Sequence, residues 1–133
     1  MGHYSTEIIR NAEKINLLHA RIRETYALRD RNPHKWKEWQ QACADFHARY
    51  DALAFPGGLT GAYQRIVEGD PQAIEAAISY LEARPYCFRS GYIWKNLLRK
   101  SKRAPLDADQ KARLDRVIAA YETYRQSRKV QKP

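Results

Sequence analysis

Five of the six prolines, Pro33, Pro56, Pro71, Pro85 and Pro105, fall between stretches whose apolar residues recur every three or four positions. A proline has no N–H for a helical ladder and its ring clashes with the turn before it, so each one ends a helix or opens the next. The five breaks therefore divide the 133 residues into six segments of helical length. No segment shows the apolar–polar alternation of a strand bounded by hairpin turns. The expected fold is all-α: about six helices in one domain spanning residues 1–133, as a compact helical bundle or a short stack of antiparallel hairpins.

Each segment carries its own start, stop and inner face. Ile8, Ile15 and Ile22 recur every seven residues in the first, with Ala12, Leu18 and Tyr26 on the same side and Ser5 or Thr6 placed to cap it. Asn32 as N-cap and Pro33 at the first helical position open the second helix. Trp36, Trp39, Cys43, Phe46, Tyr50 and Leu53 then form one continuous apolar stripe, which suits an internal core or a seam between two copies. Phe55-Pro56-Gly57-Gly58 ends it in a turn.

A short third helix, about residues 60–68, presents Tyr63, Ile66 and Val67. Asp70 and Pro71 repeat the cap-and-proline device, and Ile74, Ala77, Ile78 and Leu81 make the buried face of the fourth helix. Residues 86–91 form an aromatic turn. The fifth helix follows, with Ile93, Trp94, Leu97, Leu98 and Ser101 on one side. Asp107 with Gln110 makes a capping-box start for the sixth, whose inner face is Leu114, Val117, Ile118 and Tyr121. From Arg125 to Pro133 fraying is expected.

The run Asp70-Pro71-Gln72-Ala73-Ile74-Glu75-Ala76-Ala77-Ile78, leading to Leu81-Glu82, resembles the first helix of a HEAT-type hairpin. Gly91-Tyr92 and Leu97-Leu98-Arg99 would begin and fill the second, so the resemblance covers residues 70–100. It implies stacked helical hairpins, a scaffold that binds other macromolecules, and no catalytic residues.

Charge is the strongest pointer to function. Residues 1–83 hold 10 Lys/Arg against 11 Asp/Glu, whereas residues 84–133 hold 14 against 4, so the formal charge of +9 resides in the last 50 residues. Such asymmetry points to a polyanionic partner. No apolar run approaches the roughly 20 residues needed to cross a bilayer, and the N-terminus lacks a signal-peptide pattern. Cys43 and Cys87, with no CxxC, read as reduced thiols, and a cytoplasmic location is expected. Met1-Gly2-His3-Tyr4-Ser5-Thr6 also fits the short N-myristoylation pattern.

Catalytic and metal constellations are weak. Cys43, His47 and Asp51 are spaced i, i+4, i+8 and share a helix column, which a Cys/His pair or a metal could use. Ordinary packing and a helix-face His–Asp pair account for the same spacing. Gly57-Gly58-Leu59-Thr60-Gly61 precedes a helix but lacks the Walker lysine and the preceding strand, so it reads as a connector. Ser90 lacks a GxSxG elbow and suits a turn, while Asp70, Glu75 and Glu82 suit caps and a solvated face. No enzyme, metal or cofactor is expected.

The basic surface is where binding is expected. Lys95, Arg99, Lys102 and Arg103 lie opposite Ile93 and Leu97 on the fifth helix, and Arg113 and Arg116 avoid the Leu114/Ile118 face of the sixth. Arg125, Arg128, Lys129 and Lys132 extend the charge, and Arg89, Tyr92 and Tyr86 set aromatics beside cations. Phosphate-backbone recognition uses this mixture, because cations release counterions and exposed rings stack on bases. The first expectation is a non-enzymatic module engaging nucleic acid through Arg89, Tyr92, Lys95, Arg99, Lys102, Arg103, Arg113 and Arg116. The second is an adaptor, inhibitor or immunity-type protein for an acidic partner surface, with Trp36, Trp39 or Trp94 as anchors if exposed.

Overall fold

The five breaks between consecutive helices fall where the prolines and glycines mark them. A computed structural model describes residues 4–131, and within them are α1 (Ser5–Leu28), α2 (Pro33–Ala54), α3 (Ala62–Glu68), α4 (Pro71–Ala83), α5 (Ser90–Ser101) and α6 (Ala108–Gln131). The described residues contain no strand, and the fold is all-α as expected. No helix among them is long and apolar enough to cross a membrane.

The caps behave as their chemistry dictates. Asn32 Oδ1 accepts from the Lys35 N–H at 2.8 Å, and Asp70 Oδ1 accepts from the Gln72 N–H at 3.0 Å. Asp107 and Gln110 close a reciprocal box, with Gln110 N–H donating to Asp107 Oδ1 at 2.7 Å and Asp107 N–H to Gln110 Oε1 at 3.2 Å. One cap differs from expectation. Tyr4, not Ser5 or Thr6, is the N-cap of α1, and Ser5 is buried inside the first turn. The reason is packing, since the start of α1 lies on α4, where the Tyr4 N–H reaches Ser79 Oγ at 3.5 Å.

α4 is the central element. It packs against α1, α3, α5 and α6, and Ile74, Ala77, Ile78 and Leu81 are all buried along it. Phe55, Ile66, Leu97, Trp94 and Leu114 converge on the same core from the surrounding elements. α1 and α2 pair along their lengths, but only Ile8, Ala12, Ile15, Ala42, Phe46 and Ala54 of their apolar residues are buried. The far end of this pair, with Tyr26, Trp36 and Trp39, lies beyond the reach of α4, so its stripe is covered on one side only. Trp36 is 41% exposed.

Two further points bear on expectation. α6 runs as a helix from Ala108 to Gln131, across the segment expected to fray. Met1, Gly2 and His3 of the myristoylation pattern, and Lys132, lie outside the described residues.

Gly69 shows how the turns constrain the sequence. Its φ is +95°, and a Cβ built there would sit 3.1 Å from Pro105 Cγ. Gly69→Ala is therefore expected to destabilise by about 1–2 kcal/mol, the cost of a left-handed residue bearing a Cβ. Urea unfolding should show a lower midpoint at unchanged slope; an unchanged midpoint would contradict this backbone account.

Candidate nucleic-acid interface

The turn between α4 and α5, residues 84–89, is fixed by three other elements. Asn16 of α1 donates from Nδ2 to the Tyr86 carbonyl at 2.9 Å, and the Tyr50 hydroxyl of α2 donates to the Phe88 carbonyl at 2.9 Å. Ser90, at the start of α5, accepts the Cys87 N–H on Oγ at 3.1 Å and donates its own N–H to the Cys87 carbonyl at 2.9 Å. Ser90 is thus the turn residue that its sequence context implies. Phe88 packs inward, stacked on His19 with centroids 5.1 Å apart and edge-on to Phe46 at 5.4 Å. Burial pushes the Cys87 thiol above its ordinary pKa, which keeps it protonated and a poor nucleophile near neutral pH.

Arg84 and Arg89 flank this turn with φ of +49° and +62°, a left-handed conformation that side chains other than glycine rarely take. The pinned turn holds them there and leaves two rings in solvent. Tyr86 is 91% exposed and Tyr92 is 75% exposed.

Cations and aromatics alternate along one side of this turn. The Arg84 guanidinium stands 5.0 Å from the Trp94 ring centre and 5.3 Å from that of Tyr124. Arg125 lies 5.8 Å from Tyr121 and Arg128 5.9 Å from Tyr124, while the Trp94 and Tyr121 rings are 4.9 Å apart. Contacts of this kind contribute about 0.5–1 kcal/mol each at exposed sites and fix where the cations stand. Together with Tyr86, Lys95 and Lys129 they line a groove of about 630 Å³ between the turn, α5 and the last turns of α6. A second cavity of about 500 Å³ shares Tyr86, Ser90, Gly91 and Lys95 with the first and is bordered by His19, Arg23, Arg89 and Tyr92. Among the described residues no carboxylate lines either cavity. In a chain with 15 acidic residues, the cations lining these two cavities thus face no carboxylate across them.

The expected site residues divide into three groups. Arg89, Tyr92 and Lys95 border the two cavities, and Arg99 lies one turn further along α5, lining a shallow depression with Tyr92 and Lys95 and hydrogen-bonded to Asn96. Lys102 and Arg103 are exposed just past the C-terminal end of α5, about 10–12 Å from Lys95 by helix rise, next to the segment that packs on Gly69. They do not share the groove.

Arg113 is placed differently: its partly buried side chain turns toward α4 and away from the groove. Its side chain is 12% exposed and clamps two carboxylates of α4, with Nη1 at 2.8 Å from Glu75 Oε1 and Nη2 at 2.7 Å from Glu82 Oε1. Nε adds a bond to Glu82 Oε2 at 3.1 Å and Nη2 one to Glu75 Oε2 at 2.9 Å. The Glu82 and Glu75 carboxylates hold the guanidinium protonated even more firmly than usual. All its donors toward α4 are occupied, so it has little left for an external phosphate. Arg116 is exposed and lines a small cavity with Glu82, Trp94 and Arg113.

Sequence reasoning missed Arg84 and Tyr124. Arg84 reads as the end of α4, and its left-handed backbone has no sequence signature in an arginine. Tyr124 could have been found, since Tyr121, Tyr124, Arg125 and Arg128 follow spacings of three and four on one side of α6.

The other constellations resolve locally. Asp51 Oδ1 accepts from Thr60 N–H at 2.9 Å and Thr60 Oγ1 at 2.6 Å, so it ties down the glycine-rich connector. Arg65 donates into the same loop, to the Gly58 carbonyl at 3.0 Å and the Thr60 carbonyl at 3.1 Å. No group of three or more metal-ligating side chains comes together among the described residues. Trp94 is buried at 6% and donates Nε1–H to the Leu81 carbonyl at 3.1 Å, which makes it part of the groove floor. Compared with protein-family models, curated proteins and solved structures, the chain matches none.

Proposed function

We propose that the chain is a non-enzymatic helical binding module that engages nucleic acid through its phosphate backbone. The observation that carries this reading is the groove between the 84–91 segment and α6, lined by Arg84, Lys95, Arg125, Arg128 and Lys129 without a carboxylate. Cations arranged in this way release condensed counterions when they meet phosphates, and that release drives association. The resemblance of residues 70–100 to HEAT-type hairpins favours instead the second reading, a module for an acidic protein partner. An acidic protein surface is the other polyanion that the groove could meet, and exposed Tyr and Arg side chains also suit protein anchors.

Fluorescence anisotropy with labelled DNA and RNA, on protein washed free of bound nucleic acid, separates the two. Nucleic-acid binding predicts sub-micromolar affinity at low salt, falling with each increment of salt by a slope of about 0.7–0.9 per phosphate contact. No binding at low salt would overturn the reading and leave the acidic protein.

A further inference from the structure

The two exposed tyrosines narrow the class of nucleic acid, and this inference rests on the reading above. Nothing within the fold requires Tyr86 and Tyr92 to be where they are. Their rings are 91% and 75% exposed, yet the backbone beneath Tyr86 is held at its carbonyl by Asn16 and two residues later by Tyr50. Because the backbone at Tyr86 is tied at two carbonyls, a base stacking on its ring would order the side chain but need not order the chain beneath it. Tyr86, Ser90, Gly91 and Lys95 line both cavities, so a strand running from one to the other would pass along this shared edge.

We propose that this surface takes single-stranded nucleic acid, with bases stacked on Tyr86 and Tyr92 while Lys95, Arg89 and Arg125 hold the phosphates on either side. In a duplex the bases are stacked on one another and hidden from side chains, whereas an unpaired strand offers its base faces. Rings standing out from the surface would keep a rigid duplex off the cations behind them. A flexible strand can instead drop a base beside each ring and its backbone into the cavities. Volumes of about 500 and 630 Å³ fit that use, being on the scale of sites that take single small organic groups. Stacking tolerates any base, so the surface reads strandedness and not sequence.

The test uses the full chain and labelled oligothymidylate, oligouridylate and a mixed-sequence duplex, each about 12 nucleotides or base pairs long to span one site. The single strands should bind at least about 10-fold more tightly than the duplex, and Tyr86→Ala with Tyr92→Ala should weaken single-strand binding by about 10- to 100-fold. The salt slope should stay unchanged, since no cation is removed, and Tyr86→Phe with Tyr92→Phe should retain most of the affinity. Both rings are exposed, so the variants should keep the thermal midpoint of the parent. If the alanine variant binds single strands as the parent does, or the duplex binds as tightly as the single strands, the stacking inference fails while backbone binding stands. If no oligonucleotide binds at low salt, both fail together.

Discussion

Arg113→Ala should destabilise the fold by about 2–3 kcal/mol and lower Tm by on the order of 10 °C. The guanidinium makes four hydrogen bonds to Glu75 and Glu82, which stand two turns apart on α4. Removing it takes the guanidinium away from two carboxylates, each about one-fifth exposed, although Glu75 keeps the Ser79 hydroxyl at 3.1 Å. Breaking a fully buried pair costs about 3–5 kcal/mol, and partial exposure places this one lower. Arg113→Lys should recover only part of the loss, because an ammonium cannot make the forked contacts. Adding Glu75→Gln and Glu82→Gln to Arg113→Met should recover most of it, since two negative charges then no longer face a site that has lost its guanidinium. A loss under about 0.5 kcal/mol for Arg113→Ala would mean the cluster behaves as a surface pair. The same variant should leave nucleic-acid affinity nearly unchanged at temperatures where it remains folded.

Lys95→Glu combined with Arg125→Glu should weaken nucleic-acid binding by about 100-fold at low salt. Each replaced cation removes a charge-assisted contact of about 1.5–3 kcal/mol, and two such losses reach that range even at the lower value. The salt slope should fall by about 0.7 per cation removed on a single strand. Both side chains are exposed, so stability should change little. Lys102→Glu with Arg103→Glu makes the matched comparison, with the same charge change at the far end of α5. It should cost only a few-fold through the long-range field. Equal losses from the two double variants would mean that overall charge, and not the groove, governs binding.

The contrast between these pairs shows what the sequence could and could not reveal. Proline, glycine and the caps at Asn32, Asp70 and Asp107 act locally, so all six helices were legible in outline. The inner faces of α4 and α5 were legible too, because helices surrounded by neighbours bury the whole of their apolar stripe. The α1/α2 stripe misled at its far end, where Tyr26 and Trp36 lack a third helix to cover them. Periodicity names the apolar side of a helix but not how many partners it has.

Arg113 illustrates the same limit on the polar side. A helical wheel places it away from Leu114, yet Val117 and Tyr121 follow it at spacings of four on a half-buried face of α6. Its partners lie 38 and 31 positions earlier in the chain, which no local pattern encodes. For the candidate surface, the basic character of residues 84–133 and the placing of Arg89, Tyr92 and Lys95 on one surface could be read directly. The meeting of the 84–91 segment with the end of α6 could not, because it depends on how α5 and α6 flank α4.

The most direct test of the groove as the nucleic-acid site is residue-level mapping by amide NMR during titration with oligothymidylate. Binding there predicts shifts concentrated in residues 84–95 and 121–129, with Lys102, Arg103 and the far end of the α1/α2 pair unmoved. Shifts centred on Lys102 and Arg103, or spread evenly over every exposed cation, would contradict it.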